Sequence, residues 1–140
     1  MKIVKSKHIG CYGIIKKENK VLLIKKARGA YKGKLDLPGG GIEYGETPEE
    51  TLKRELKEET GITSFSYVLK KVITYYEIWD MEENIKEDLS HYAIIYDISL
   101  KGNESIKSIP DGLDSLGASW YDIDTLQEKD LSPLAKVIKE

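Results

Sequence analysis

Residues 47–61 carry their own instructions for one helix and therefore constrain everything around it. Thr47 is a good N-cap, Pro48 suits the first helical position, and Glu50 stands three residues after the cap, completing a capping box. Gly61 is placed to end the helix in a left-handed conformation. Between them, Glu-Glu-Thr-Leu-Lys-Arg-Glu-Leu-Lys-Glu-Glu consists mostly of good helix formers. A helix over Pro48–Thr60 is expected. Pro38-Gly39-Gly40-Gly41 precedes it and is expected to be irregular.

The rest reads largely as strands. Residues 8–16 and Val21 to Lys26, joined by the turn Lys17-Glu18-Asn19-Lys20, predict a β-hairpin. Phe65, Tyr67 and Leu69 share one parity, whereas Val72, Thr74, Tyr76 and Ile78 share the other. Since a one-residue slip flips strand faces, a bulge or turn is expected near Lys70-Lys71. An acidic connection, Asp80 to Asp88, then leads to a strand over His91–Leu100. A glycine- and aspartate-rich loop over 101–117 and a short strand at Ser119-Trp120-Tyr121 come next. Ser132-Pro133 is expected to start a C-terminal helix. This order of elements is an α+β or layered α/β pattern.

Composition narrows the class. Lys plus Arg total 22 against 24 for Asp plus Glu in 140 residues, which argues against general nucleic-acid binding, where a large basic excess would be needed. The single cysteine, Cys11, excludes an internal disulfide and fits a reducing compartment. No stretch has the roughly 18 apolar residues of a membrane span. The apolar run Ile9–Ile15 is followed by Lys16, Lys17 and Glu18 rather than a cleavage site. The expectation is a single cytoplasmic domain over 1–140, with no membrane partner.

Glu55, Glu58 and Glu59 stand at i, i+3 and i+4, which puts three carboxylates on one helix face, with Leu52 and Leu56 on the adjacent flank. Such a cluster suits a hard divalent ion and, through it, phosphate chemistry. Glu- and Lys-rich helices are also commonly solvated faces, and the carboxylate spacing alone leaves both readings open.

The wider pattern reads Gly40, five residues, Glu46, seven residues, Arg54-Glu55-Leu56, one residue, Glu58-Glu59, one residue, Gly61-Ile62. It resembles the signature of the Nudix hydrolases, MutT-like enzymes among them, without departure over residues 40–62. For nine specified positions a chance match is on the order of 10⁻⁷. The resemblance implies a Nudix fold: an α/β/α sandwich around a mixed sheet, with a loop-helix-loop holding the metal. It implies Glu55, Glu58 and Glu59 as Mg²⁺ or Mn²⁺ ligands, Glu46 as a secondary ligand, and the Gly40 carbonyl as a further one. The catalytic set would be Glu58, Glu55 and Arg54, the last holding Glu46 or Glu55 in position rather than touching substrate. The general base would be Glu58 or Glu55, with Asp114 or Asp111 before the Trp120 strand as the alternative.

The implied reaction is hydrolysis of the pyrophosphate bond in a nucleoside diphosphate linked to another group. The first candidate is a (deoxy)nucleoside triphosphate, oxidised ones included, cleaved to monophosphate and pyrophosphate. Dinucleoside polyphosphates, nucleotide sugars, RNA 5′ ends and a non-catalytic nucleotide-binding module remain open. Outside the box, Arg28 is the best candidate for phosphate contact, within the basic cluster Lys25, Lys26, Arg28, Lys32 and Lys34. Tyr75, Tyr76 and Trp79 are candidates for stacking on a base, Tyr76 and Trp79 first. His8 and His91 lack any metal-ligand spacing and read as structural or surface residues, and Cys11, in an apolar strand, is not expected to be a nucleophile. The acidic stretch 80–88 reads as a solvated connector, with a lid or a homodimer contact as its functional alternatives.

Overall fold

Strand β1 (Lys2–Lys17) is the axis of the molecule, and three other strands pair with it directly. In the computed structural model, which describes residues 1–102, 105–107 and 115–140, β1 runs parallel to β6 (Ile85–Leu100), from Lys2 against Ile85 to Ile15 against Ile98. At its far end it turns through Glu18, which adopts a positive φ of 58°, into β2 (Lys20–Lys26). Strand β3 (Leu35–Asp36) and β7 (Ser115–Asp122) both pair antiparallel with β2. Strand β5 (Phe65–Glu82) pairs antiparallel with β6 and forms the outer edge. The sheet is therefore mixed, as expected.

Three expectations need correction. Gly39–Gly41 is a strand, β4, pairing antiparallel with Gly10–Tyr12 of β1. The glycines lack side chains, so their backbone can lie against β1 where a Cβ at Gly39 would fall on the Cys11 carbonyl. The acidic stretch Asp80–Asp88 is mostly not a connector: it is the end of β5, a turn at Glu83-Asn84, and the start of β6. Its charges pair across strands, Lys86 Nζ lying 2.9 Å from Asp80 Oδ1. The C-terminal segment is not an α-helix. It is two 3₁₀ turns, Glu128–Asp130 and Ala135–Lys139. Ser132 does act as a start signal, its Oγ accepting from the Ala135 N–H at 3.1 Å. Burial of Leu134, Ala135, Val137 and Ile138 then docks the tighter turn.

Helix α1 (Pro48–Thr60) forms as the capping residues dictate. Thr47 Oγ1 accepts from Glu50 N–H, Glu50 Oε1 accepts from Thr47 N–H, both at 3.1 Å, and Gly61 has φ 79°. Leu52 and Leu56 are fully buried against Cys11, Ile15, Leu22, Ile24, Tyr96 and Ile98 on one face of the sheet. The opposite face, with Tyr12, Ile14, Val21, Leu23, Ala93 and Ile95, is covered by the C-terminal segment. The layers are helix, sheet and 3₁₀ turns.

The expected bulge is present: the β5–β6 register shifts between Leu69 and Lys71. Before it Tyr67 opposes Ile98, and after it Val72 opposes Ile94. Odd-numbered residues of β5 thus face α1 before the bulge and the opposite side after it. No helix among the described residues is long and apolar enough to cross a membrane.

Candidate active site

The site begins where β4 meets α1. Gly39 N–H donates to Glu59 Oε1 at 2.7 Å, fixing the last carboxylate of the helix against the glycine strand. Glu59 is buried, and desolvation, which outweighs the Gly39 hydrogen bond, raises its pKa well above 4.5; Glu55 adds to the rise. A Cβ on Gly40 would stand 2.6 Å from Glu55 Cδ, so this glycine leaves the space that the Glu55 carboxylate fills.

Arg54 binds the carboxylates from the loop side. Its Nε donates to Glu46 Oε2 at 2.6 Å, Nη2 to Glu46 Oε1 at 2.9 Å and to the Gly41 carbonyl at 3.1 Å, and Nη1 to Glu55 Oε1 at 2.8 Å. A planar guanidinium fits this fork where an ammonium would not. Glu46 also accepts from Thr51 Oγ1 and Glu43 N–H. The Arg54 hydrogen bonds, followed by the Glu43 amide, pull the Glu46 pKa down to about 2. Glu58 is more exposed and lies 3.5 Å from Arg54 Nη1. Arg54 thus pairs with both carboxylates suggested for it.

Among the described residues no group of three His, Cys, Asp or Glu stands ready-made around an ion. The donors nevertheless fit a hard divalent cation in chemistry. Glu55, Glu58 and Glu59 share one end of one helix, are all oxygen donors, and include one buried carboxylate whose charge is unfavourable as it stands. Asp111 and Asp114 lie outside the described residues.

A cleft of about 380 Å³ opens beside this cluster, lined by Gly40 and Gly41 on one side and by Arg28, Lys26 and Trp79 on the other. Arg28 and Trp79, two of the three residues singled out as substrate contacts, are there. Tyr76 is not. It lies on the α1 side of β5 and is 68% exposed, while Tyr75 turns inward toward Tyr31 and His91. The Trp79 indole donates to Glu87 Oε1 at 2.7 Å, which fixes the ring.

The cleft floor holds residues that sequence reasoning set aside as structural or did not raise. The Tyr12 hydroxyl shares a 2.9 Å hydrogen bond with His91 Nε2, and His8 Nε2 lies 3.4 Å away. Desolvation lowers the His91 pKa to about 3, helped by His8 and Lys26, so the ring is neutral. Asp36 accepts from Ser132 Oγ at 2.7 Å and from Leu37 N–H at 2.8 Å, while burial raises its pKa. The signal was faint in sequence: His8 and His91 are 83 positions apart and meet only because the β1–β6 register places them side by side. Cys11 points the other way into the core, and burial pushes its thiol up to about 12.

A mixed sheet with a capped carboxylate helix at the edge of an aromatic and cationic cleft makes this an α/β fold. The crystal structure of a MutT NUDIX hydrolase from Burkholderia pseudomallei superimposes with a TM-score of 0.70, covering 94% of this chain and 95% of that one at 23% identity. The chain matches the NUDIX domain model over residues 5–140 and belongs to that family. It is 35% identical over 115 residues to a Methanocaldococcus jannaschii protein named ADP-ribose pyrophosphatase, a match covering 81% of this chain and 61% of that protein. It is 45% identical over 65 residues to the Escherichia coli 8-oxo-dGTP diphosphatase, covering 45% of this chain and 50% of that protein. The matched stretch therefore spans only one half to about three fifths of these relatives' own length.

Proposed function

We propose that this chain hydrolyses the pyrophosphate bond of a nucleoside diphosphate linked to another group. A (deoxy)nucleoside triphosphate, oxidised ones included, is the first candidate, with monophosphate and pyrophosphate as products. One observation carries the reading: the cleft with Trp79 and Arg28 is continuous with Gly40, which in turn abuts Glu55. A base held against Trp79 would direct its phosphate chain past Arg28 toward the carboxylate helix.

Glu55, Glu58 and Glu59, with Glu46 and the Gly40 carbonyl, would hold Mg²⁺ or Mn²⁺, which supplies charge neutralisation on the phosphates. Arg54 positions Glu46 and Glu55. Glu58, more exposed than Glu55 and Glu59, or Glu55 takes a proton from the attacking water as its oxygen bonds to phosphorus and the bridging P–O bond breaks.

The match to a protein named ADP-ribose pyrophosphatase favours a second reading, a nucleotide-sugar-type substrate. The two are separated by incubating the protein with Mg²⁺ and dGTP, 8-oxo-dGTP or ADP-ribose in ¹⁸O water. Pyrophosphate release supports the first, and a labelled sugar phosphate or AMP the second. Binding of all three without turnover would leave a non-catalytic nucleotide module.

A further inference from the structure

Strand β5 is the outer edge of the sheet, and among the described residues no strand pairs with its free side. Edge strands this long invite pairing with another chain unless blocked. Between its two register breaks, at Leu69/Lys71 and Asp80/Glu82, β5 has one regular run, Lys71–Asp80. Within that run the α1-side face shows Val72, Thr74, Tyr76 and Ile78, and three of these are large apolar residues 58–68% exposed.

The charges of the strand are arranged in opposite senses at its two ends. Lys71 starts the run, with Lys70 in the break before it, whereas Glu77 and Asp80 lie toward its finish and Glu82 just beyond. Among the described residues, Lys70, Lys71 and Asp80 pair only at the surface, with Asp97, Glu140 and Lys86 in turn. An antiparallel copy of the same strand places each basic end beside an acidic one. A parallel copy would stack like on like.

We infer that β5 pairs antiparallel with β5 of a second copy of this chain, about a two-fold axis at Tyr75, so that the two sheets become one. A two-fold normal to the sheet keeps faces matched only when opposed residues share parity. With the axis at Tyr75, Val72 meets Ile78 of the partner subunit, Thr74 meets Tyr76 of the partner subunit, and Lys70 stands by Asp80 of the partner subunit. Moving the axis to Tyr76 sets Val72 against an aspartate. Moving it to Thr74 runs the ladder across the bulge. The axis at Tyr75 also puts Lys71 of the partner subunit beside Trp79, at the rim of the cleft. The bulges at both ends stop the ladder, which makes a closed pair rather than a growing sheet.

Sedimentation velocity and single-cysteine cross-linking test this on the full chain. The wild type is expected to sediment at twice 15.9 kDa, and Val72→Lys to sediment as one chain with an unchanged circular dichroism spectrum. Val72→Cys and Ile78→Cys, oxidised together, should give a disulfide-linked pair, because directly opposed Cα atoms lie about 4.5–5.5 Å apart. Either variant alone should not, since its own copies are offset along the strand, and Cys11 is buried. A wild type that stays monomeric at submillimolar concentration overturns the inference. So does a dimer insensitive to Val72→Lys, or one in which either single variant cross-links as well as the mixture.

Discussion

Gly39 and Glu59 are joined by a 2.7 Å hydrogen bond from the glycine amide to the glutamate carboxylate, so the last turn of α1 is tied to a strand twenty residues earlier. The carboxylate is buried and its charge is disfavoured by desolvation and by Glu55. An amide at this position keeps an acceptor for the Gly39 N–H and removes the charge. Glu59→Gln is therefore expected to unfold, in the presence of a chelator, at a temperature no lower than the wild type, while Mg²⁺-dependent turnover falls. A clear loss of metal-free stability on thermal unfolding would contradict it.

Glu58→Gln should leave folding nearly intact, because its side chain is 54% exposed and its contact to Arg54 is long. Turnover is expected to fall at least about 10²-fold. Adding Mg²⁺ should raise the wild-type melting temperature by mass action and raise that of the variant less. Steady-state kinetics and calorimetry read both effects.

The two neighbouring glycines should separate folding from activity. Gly39 has φ 146°, and a Cβ there meets the Cys11 carbonyl and Tyr12 Cα, backbone that cannot yield. Gly39→Ala is expected to abolish the soluble fold. At Gly40 the obstacle is the end of a flexible glutamate, Glu55 Cδ at 2.6 Å. Gly40→Ala should fold and displace that carboxylate, lowering kcat with little change in circular dichroism.

His91 gives a pH signature. In the unfolded chain it takes a proton near 6.5, whereas in the fold it resists until about pH 3. Between those values the unfolded state binds more protons, so stability rises with pH across that window and is level above it. The slope from this one group is at most about 1.4 kcal/mol per pH unit. His91→Gln, which retains a partner for the Tyr12 hydroxyl, should flatten that part of the profile in urea titrations from pH 6.5 to 4.

Removing the cap oxygen with Thr47→Ala should cost about 1 kcal/mol, seen as a lower urea midpoint with an unchanged slope. The same variant frees the Glu50 N–H at the start of the helix that carries the carboxylates.

Helix α1 was legible because each of its signals is local: cap, proline, capping box and terminal glycine lie within fifteen residues. The bulge before Lys71 was legible from side-chain parity, whereas the Arg54 pairing was expected only because the resemblance to the Nudix signature implied it. Strand β4 was not legible, since Gly39-Gly40-Gly41 has no side-chain pattern and acquires its pairing only from β1. The Asp80–Asp88 stretch misled because acidic residues there answer Lys86 and Trp79 across the hairpin instead of solvent. The placement of Tyr76 failed for a narrower reason: stacking was assigned by proximity in sequence, and adjacent residues on a strand face opposite ways. The cleft floor of Tyr12, His91 and Asp36 is built from three distant strands, and no local feature announces it.

The extra residue near Lys70 has a larger effect than its size suggests. Pair the same residues without the bulge, Lys70 taking Lys71's place opposite Ile95, and the inward and outward rows of the outer strand would trade places. Tyr75 and Trp79 would leave the cleft's side for the helix's side, and Tyr76 and Ile78 would arrive in their stead. The bulge thus selects which rings a ligand would meet, so its loss at constant chain length is a route by which close cousins of this chain could exchange one preferred molecule for another.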